Sequence, residues 1–369
     1  MYFRDVIGLH DVKKHLIHSV QQGLVPHARI FYGPEGVGKL PLAIAYARYL
    51  NCAHPGTEDA CGECPSCQKF NKLAHPDLHF VFPVIKSKVS DEYLPQWREF
   101  LSQYHYFNLN RWLGYIKAEN AQGIIYAKES DEIIRKLNLK VYEAPYKVMI
   151  VWLPEKMNVA CANKLLKMIE EPPANTVFLL VSEDPENVLQ TIWSRCQPLH
   201  IRSIEHQEMQ AALQLQFGLT QTEVATYAHL ARGSFTKAIE LISSSEEMQY
   251  FFDVFVRMMR SSVSGNIKSI KETATELAGI GREMQKSFLL YALRMFREYF
   301  VNNLHEPTLV YLNEEERKFG ERFSPYINER NIEAFVEEFT LAHRQIEQNG
   351  NARIIFLDLC LKVTLFFRK

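Results

Sequence analysis

Long apolar runs are missing from this chain. None approaches the ~18 uncharged residues that a membrane-crossing helix needs. The opening residues, Met1-Tyr2-Phe3-Arg4-Asp5-Val6, lack the continuous apolar stretch of a secretory signal. An excess of one charge is missing too. Lys and Arg number 42 against 43 Asp and Glu, a net charge of −1, which excludes a free-standing nucleic-acid binder of the basic-patch kind. Any DNA contact would be local or shared with partners. There is no internal repeat and no low-complexity segment. A cytoplasmic protein with reduced thiols and no membrane partner is expected. What is present supports a folded chain: 47% hydrophobic and 23% charged residues over 369 positions, room for two or three domains of roughly 100–200 residues each.

Short apolar runs alternate with helical patterns over the first 200 residues. Ala28–Tyr32, Phe80–Phe82, Lys147–Leu153, Val177–Val181 and Pro198–Ile201 read as strands. Lys147–Leu153 is continuously apolar after its first residue, as a parallel strand buried on both faces would be. Leu42–Leu50, Asp131–Leu137 and Asn163–Glu171 read as helices, the last stopped by Pro172-Pro173. This alternation predicts an α/β domain with a helix-flanked parallel sheet over 1–204. After Ile204 only helices are expected: Gln207–Phe217, Thr222–Arg232 and Ser234–Ile242 form a small lid over 205–245. The polar run Ser243–Glu247 reads as a linker or domain boundary. An all-α domain follows over 246–369, with turns at Gly265-Asn266, Glu306-Pro307 and Asn349-Gly350. Residues 86–122 stand apart as an inserted helical segment. Its Trp97, Phe100, Leu101, Tyr104, Phe107, Trp112 and Leu113 recur at helical spacing, and are expected to pack on the body. Stacking on single-stranded nucleic acid, with Arg98, Arg111 and Lys117 nearby, is the alternative.

Gly33-Pro34-Glu35-Gly36-Val37-Gly38-Lys39 follows the first strand. It has the spacing of a P-loop, whose amides surround phosphates while the lysine neutralises their charge. The next residue should carry a hydroxyl for Mg²⁺. Here it is Leu40, which cannot ligate an ion; Pro41 follows in the first helical turn, where proline is tolerated. Gly33, Gly36, Gly38 and Lys39 are therefore the candidate nucleotide-binding residues of a degenerate loop, with ATP or ADP binding in doubt and turnover not expected.

Of seven cysteines, four lie between positions 52 and 67: Cys52, Cys61, Cys64 and Cys67. Four thiolates suit tetrahedral Zn²⁺, and iron–sulfur clusters use similar runs. Disulfides are disfavoured in a reducing compartment. No coordination position is left open, so any metal is structural. Cys161 and Cys360 sit in helical patterns and read as core thiols. The histidines show no ligand spacing that competes with the four cysteines.

The stretch Asn163-Lys164-Leu165-Leu166-Lys167-Met168-Ile169-Glu170-Glu171-Pro172-Pro173, then the strand Val177–Val181, then Ser194-Arg195-Cys196, resembles the clamp-loader branch of the AAA+ ATPases. Pro26-His27-Ala28 and Asp5-Val6-Ile7-Gly8 look like that family's N-terminal boxes. Asn349-Gly350-Asn351-Ala352-Arg353 looks like the start of its last collar helix. The resemblance covers residues 1–245 well, is weaker over 246–369 and is absent from 86–122.

The resemblance implies that Arg195 reaches into the ATP site of a neighbouring subunit, where a planar charged fork suits a γ-phosphate. It places the two Mg²⁺-holding acids of the chain's own site at Trp152 and Leu153, with Glu155 as a displaced substitute beyond Pro154. The sensing polar residue survives as Ser182. Thr236, beside Lys237, stands where the lid arginine belongs. It also favours zinc for the cysteine module. The implied role is a non-catalytic clamp-loader subunit in DNA replication. Its partners would be gamma/tau-like ATPase subunits, a delta-like subunit, and the sliding clamp and primed DNA through the complex. An active gamma/tau-like motor subunit is the alternative, and a nucleic-acid-binding module a third reading.

Overall fold

Five strands, all parallel, form the sheet on which the first half of the chain is built. The computed structural model describes residues 1–85, 88–118, 121–303 and 312–367. It divides into two compact units, Met1–Ile242 and Ser243–Lys369. The strands are β1 (Ala28–Tyr32), β2 (Leu78–Val81), β3 (Lys147–Trp152), β4 (Thr176–Ser182) and β5 (Gln197–His200), in the order β2-β3-β4-β1-β5. Every residue of β3 and β4 is buried. Their side chains alternate between two cores, as the two-residue period of a strand requires. Val148, Ile150, Trp152, Leu179 and Val181 enter one core; Met149, Val151, Phe178 and Leu180 enter the other.

The helices of this unit are α1 (His10–Gln21), α2 (Lys39–Leu50), α3 (Pro65–Asn71), α4 (Leu94–Gln103), α5 (Leu109–Tyr115), α6 (Ala127–Asn138), α7 (Val159–Glu170), α8 (Gln190–Trp193), α9 (His206–Phe217) and α10 (Gln221–Ala231). The helix α7 begins four residues before the expected start. The Asn158 side chain accepts the Cys161 N–H at 2.7 Å, and such a cap satisfies an amide that the helix leaves unpaired. Its end at Glu170, just ahead of Pro172-Pro173, follows the proline rule.

The second unit is helical throughout its described residues, with α12 (Ile267–Gly279), α13 (Arg282–Asn302), α14 (Glu314–Phe323), α15 (Ile332–Glu347) and α16 (Ala352–Phe366) after the 30-residue α11 (Phe235–Ser264). The polar run Ser243–Glu247 coincides with a boundary, since the second compact unit begins at Ser243, but it lies inside α11 and is no irregular linker. Serine and glutamate cost only tenths of a kcal/mol per residue in a helix, and no glycine or proline interrupts the run. Buried Ile242 before it and Phe251, Val254 and Phe255 after it hold the helix down. The turns at Gly265-Asn266 and Asn349-Gly350 are present, each followed by an asparagine-capped helix. The expected turn at Glu306-Pro307 lies outside the described residues.

The inserted segment contributes α4 and α5, and its aromatic residues enter the core beneath the ends of β2 and β3. Trp97 stacks on Phe82 at 4.2 Å between ring centroids and meets Trp112 at 4.9 Å and Trp152 at 5.3 Å. The Trp112 indole N–H donates to the Pro83 carbonyl at 3.0 Å. Trp97→Ala removes the centre of this cluster. It is expected to cost about 3–5 kcal/mol of stability, as deletion of a fully buried aromatic does. Urea denaturation followed by circular dichroism checks this.

Candidate functional site

The glycine-rich loop leaves β1 and delivers Lys39 to the first turn of α2, the geometry of a phosphate cradle. Gly36 and Gly38 adopt φ of 77° and 90°, values that side chains rarely tolerate. Space enforces glycine as well. A Cβ on Gly36 would run into the Ser234 hydroxyl, and one on Gly38 would lie 2.9 Å from the Tyr106 hydroxyl. The loop is thus intact in shape, but packed against protein where it would face a nucleotide.

Lys39 is turned into the loop itself. Its ammonium donates to the carbonyls of Gly33, at 2.9 Å, and of Pro34. Burial pulls its pKa down, while Glu183, Glu155 and Glu35 push it back up. Around it stand Leu40, Tyr106, Phe107, Trp152, Val181 and Thr236, among others. The space left between these side chains is about 20 Å³, room for a single water.

The positions expected to have lost their chemistry are buried. Leu40, Trp152 and Leu153 are 5%, 2% and 2% exposed. Leu153 holds φ 58°, a left-handed conformation, and its N–H donates to Val181 O at 2.8 Å. Glu155 does not stand in for the missing acids. One of its carboxylate oxygens accepts the N–H groups of Glu183 and Asp184 at 2.8 and 3.1 Å, so it caps the end of β4. Burial raises its pKa, and burial raises that of Glu183 to about 7 against the pull of Lys39. Ser182 ends β4 fully buried, and Thr236 lies in the first turn of α11, also buried.

Arg195 lies after the short α8, away from its own chain's cleft residues in the sequence and joined to none of them by a hydrogen bond. Its Nε donates to Glu170 at 2.8 Å and its Nη1 to the Thr191 carbonyl at 3.0 Å. The side chain is 31% exposed. The end of α7 and the turn after α8 therefore fix the guanidinium, with one of its two terminal nitrogens free of these two bonds.

Cys52, at the end of α2, meets Cys61, Cys64 and Cys67 from the turn and first residues of α3. Their sulfurs all lie within 4.8 Å of one another, with Cys67–Cys52 at 3.6 Å and Cys61–Cys67 at 4.0 Å. A tetrahedron with Zn–S bonds of ~2.3 Å has edges of about 3.8 Å, so donor set and spacing fit such an ion. Three amides already point at sulfur: Cys61 N–H to Cys52, Cys64 N–H to Cys61 and Cys67 N–H to Cys64, at 3.3–3.4 Å. Backbone N–H groups hold the Cys61 thiol down at about 6, while burial pushes Cys52 and Cys67 up. Among the described residues this is the only grouping suited to a metal. Cys161, Cys196 and Cys360 are buried singly, their thiols pushed up to about 12.

A family model described as DNA polymerase III, delta subunit, matches residues 8–205, more than half of the chain. The chain belongs to this DNA polymerase III family. Among curated relatives, DNA polymerase III subunit delta' of Pseudomonas aeruginosa is 33% identical over 46% of this chain and 41% of its own length. Subunit delta' of Bacillus subtilis is 30% identical over 53% of this chain and 47% of its own. Subunit tau/gamma of Haemophilus influenzae is 27% identical over 67% of this chain and 31% of its own. The chain therefore spans less than half the length of these relatives. No helix among the described residues is long and apolar enough to cross a membrane.

Two participants escaped the sequence reading. Tyr106 belongs to the cleft, and Glu170 is the partner of Arg195. The signal for Tyr106 was indirect: an aromatic insertion in a chain whose P-loop had exchanged polar groups for Leu40, Trp152 and Leu153. Nothing marked the pairing of Glu170 with Arg195, which are 25 positions apart in sequence.

Dialysed protein is expected to carry one tightly held zinc ion per chain by metal analysis. Cys64→Ala should lower that content and raise proteolysis around 52–71, because Cys64 also caps α3, accepting the Cys67 N–H.

Proposed function

We propose that this chain is a non-catalytic, delta-prime-type subunit of the DNA polymerase III clamp loader. It acts in the cytoplasm and supplies Arg195 in trans to the ATP site of a neighbouring gamma/tau-like subunit during sliding-clamp loading. The observation that carries this reading is the contrast within one chain. The cleft has apolar residues at the hydroxyl position and at both acid positions, whereas Arg195 remains charged, anchored and accessible. An arginine held by Glu170 and the Thr191 carbonyl keeps part of its fork for an anion. The four cysteines serve this role as a structural zinc module. Residues 205–245 act as the lid and 246–369 as the collar through which subunits assemble.

The collar assignment draws support from α16. Ile354, Leu357, Leu361 and Leu365 are all exposed there, spaced three, four and four residues apart on one helical face. Such a stripe suits a collar helix of another clamp-loader subunit. Leu357→Asp with Leu361→Asp is expected to leave the monomer folded and to weaken its retention by the other subunits at least about tenfold, as loss of a central apolar contact does. Analytical gel filtration of the reconstituted complex reads this out.

The motor-subunit reading has one observation in its favour, the longer match to tau/gamma. Against it stand Leu40, Trp152 and Leu153, none of which can hold Mg²⁺ or orient water. The purified chain is expected to show no ATP turnover above background. Arg195→Ala should stay folded, zinc-loaded and able to assemble. In the complete complex it should slow DNA- and clamp-stimulated turnover. The drop should be smaller than the roughly 10³–10⁵ that arginine fingers supply in GTPases, since other interfaces keep their own. Arg195→Lys should not restore the rate, because a point charge lacks the fork. Wild-type turnover and loading by an assembled Arg195→Ala complex would overturn the assignment.

A further inference from the structure

The segment 104–108, between α4 and α5, touches every wall of the P-loop cleft. The Tyr106 hydroxyl accepts the Ile7 N–H at 2.8 Å, on the N-terminal side of the cleft. Its ring stands edge-on to Phe235, at the start of α11, with centroids 4.9 Å apart. Phe107 packs on Trp152 at 5.1 Å, where a Mg²⁺-holding carboxylate would stand. The Asn108 amide donates to Glu240, one turn further along α11, at 2.9 Å. On the far side, the Phe235 N–H donates to the Gly36 carbonyl of the loop at 2.8 Å. Tyr106 and Phe107 are 7% and 6% exposed, so these contacts are made in the interior.

A nucleotide in such a cleft would lie between the loop and the helices that follow β5. Here a stretch of the chain lies there. It buries two aromatic rings, and it links the body (Ile7, Gly38, Trp152) to the lid (Phe235, Glu240) through ring packing and two hydrogen bonds. Lys39, which would need to extend to phosphate, is satisfied by loop carbonyls. Entry of a nucleotide would have to expose both rings and strip the Lys39 bonds, in a cleft that keeps about 20 Å³ free.

We propose that residues 104–108 are a built-in occupant of the nucleotide cleft, which holds the lid helices on the P-loop body in a fixed, nucleotide-independent arrangement. The lid is closed by the chain's own Tyr106, Phe107 and Asn108, in the place where ATP would close it. This proposal is independent of Arg195 and goes beyond the absence of turnover, since it also excludes binding.

Amide hydrogen exchange of the full chain tests it. In the wild-type protein, millimolar ATP, with or without Mg²⁺, is expected to leave exchange over 206–242 unchanged. Tyr106→Ala with Phe107→Ala is expected to speed exchange there about tenfold or more while β1, β3 and β4 keep their protection. Should that variant fail to fold, the milder Tyr106→Phe with Asn108→Asp removes the two hydrogen bonds, to Ile7 and to Glu240, and keeps a side-chain acceptor for the Arg111 N–H that caps α5. It should still speed lid exchange about threefold or more. Slower lid exchange of the wild type in ATP, or unchanged lid exchange in a folded variant, would overturn the proposal. Neither outcome bears on the neighbour's turnover, by which the arginine-finger reading is judged.

Discussion

Apolar filling of the cleft above β3 and β4 is the constraint on which the first unit depends. Leu40, Trp152 and Leu153 are buried there, and apolar surface left facing water would be unfavourable at roughly 25 cal/mol per Å². The insertion meets that requirement. Trp97, Phe107 and Trp112 join Trp152 in one aromatic cluster, and Tyr106, next to Phe107 in the chain, packs its ring on Phe235 at the start of α11. Loop, sheet end, insertion and lid share one core. The apolar residues at positions 40, 152 and 153 and the inserted segment are thus two sides of a single packing arrangement.

The same economy of contacts governs the two sites that remain polar. In the cysteine module, the backbone of a tight turn aims its amides at sulfur, and the sulfur of Cys64 caps the helix that carries Cys67. At Arg195 the geometry comes from the C-terminal end of α7, where Glu170 sits just before the two prolines stop the helix. A helix terminus set by proline therefore fixes the placement of a charged group 25 residues later. Surface ion pairs of this kind add little stability. Their effect here is orientation.

Much of this was legible in the residues, for identifiable reasons. Parallel strands buried on both faces have no polar alternation to obscure them, so β1, β3 and β4 stood out as apolar runs. The P-loop and the four cysteines announced themselves by spacing, because backbone amides around phosphate and thiolates around a metal both demand fixed intervals. The start of α7 was missed because a capping asparagine looks like any loop residue. The polarity of Ser243–Glu247 marks the boundary at Ser243 but conceals the helix, because a helix held by Ile242 and Phe251 carries five polar residues without strain. Packing of the insertion on the body was legible, but its place there was not. Helical spacing says that Trp97, Phe100 and Leu101 share a face, but not which surface receives it.

Gly36 and Gly38 carry a consequence for how such a chain can change. With a Cβ barred by the Ser234 hydroxyl and by Tyr106, the loop keeps its motif for reasons of packing, and any scan for nucleotide-binding signatures will go on finding it. Single substitutions toward a polar cleft are nevertheless opposed by the packing. A hydroxyl at position 40 would meet an apolar wall, a carboxylate at 152 would be buried against Phe107, and removing the insertion first would leave both leucines and the tryptophan uncovered. The packed cleft works as a ratchet, in which the motif persists because the surrounding side chains have closed on it.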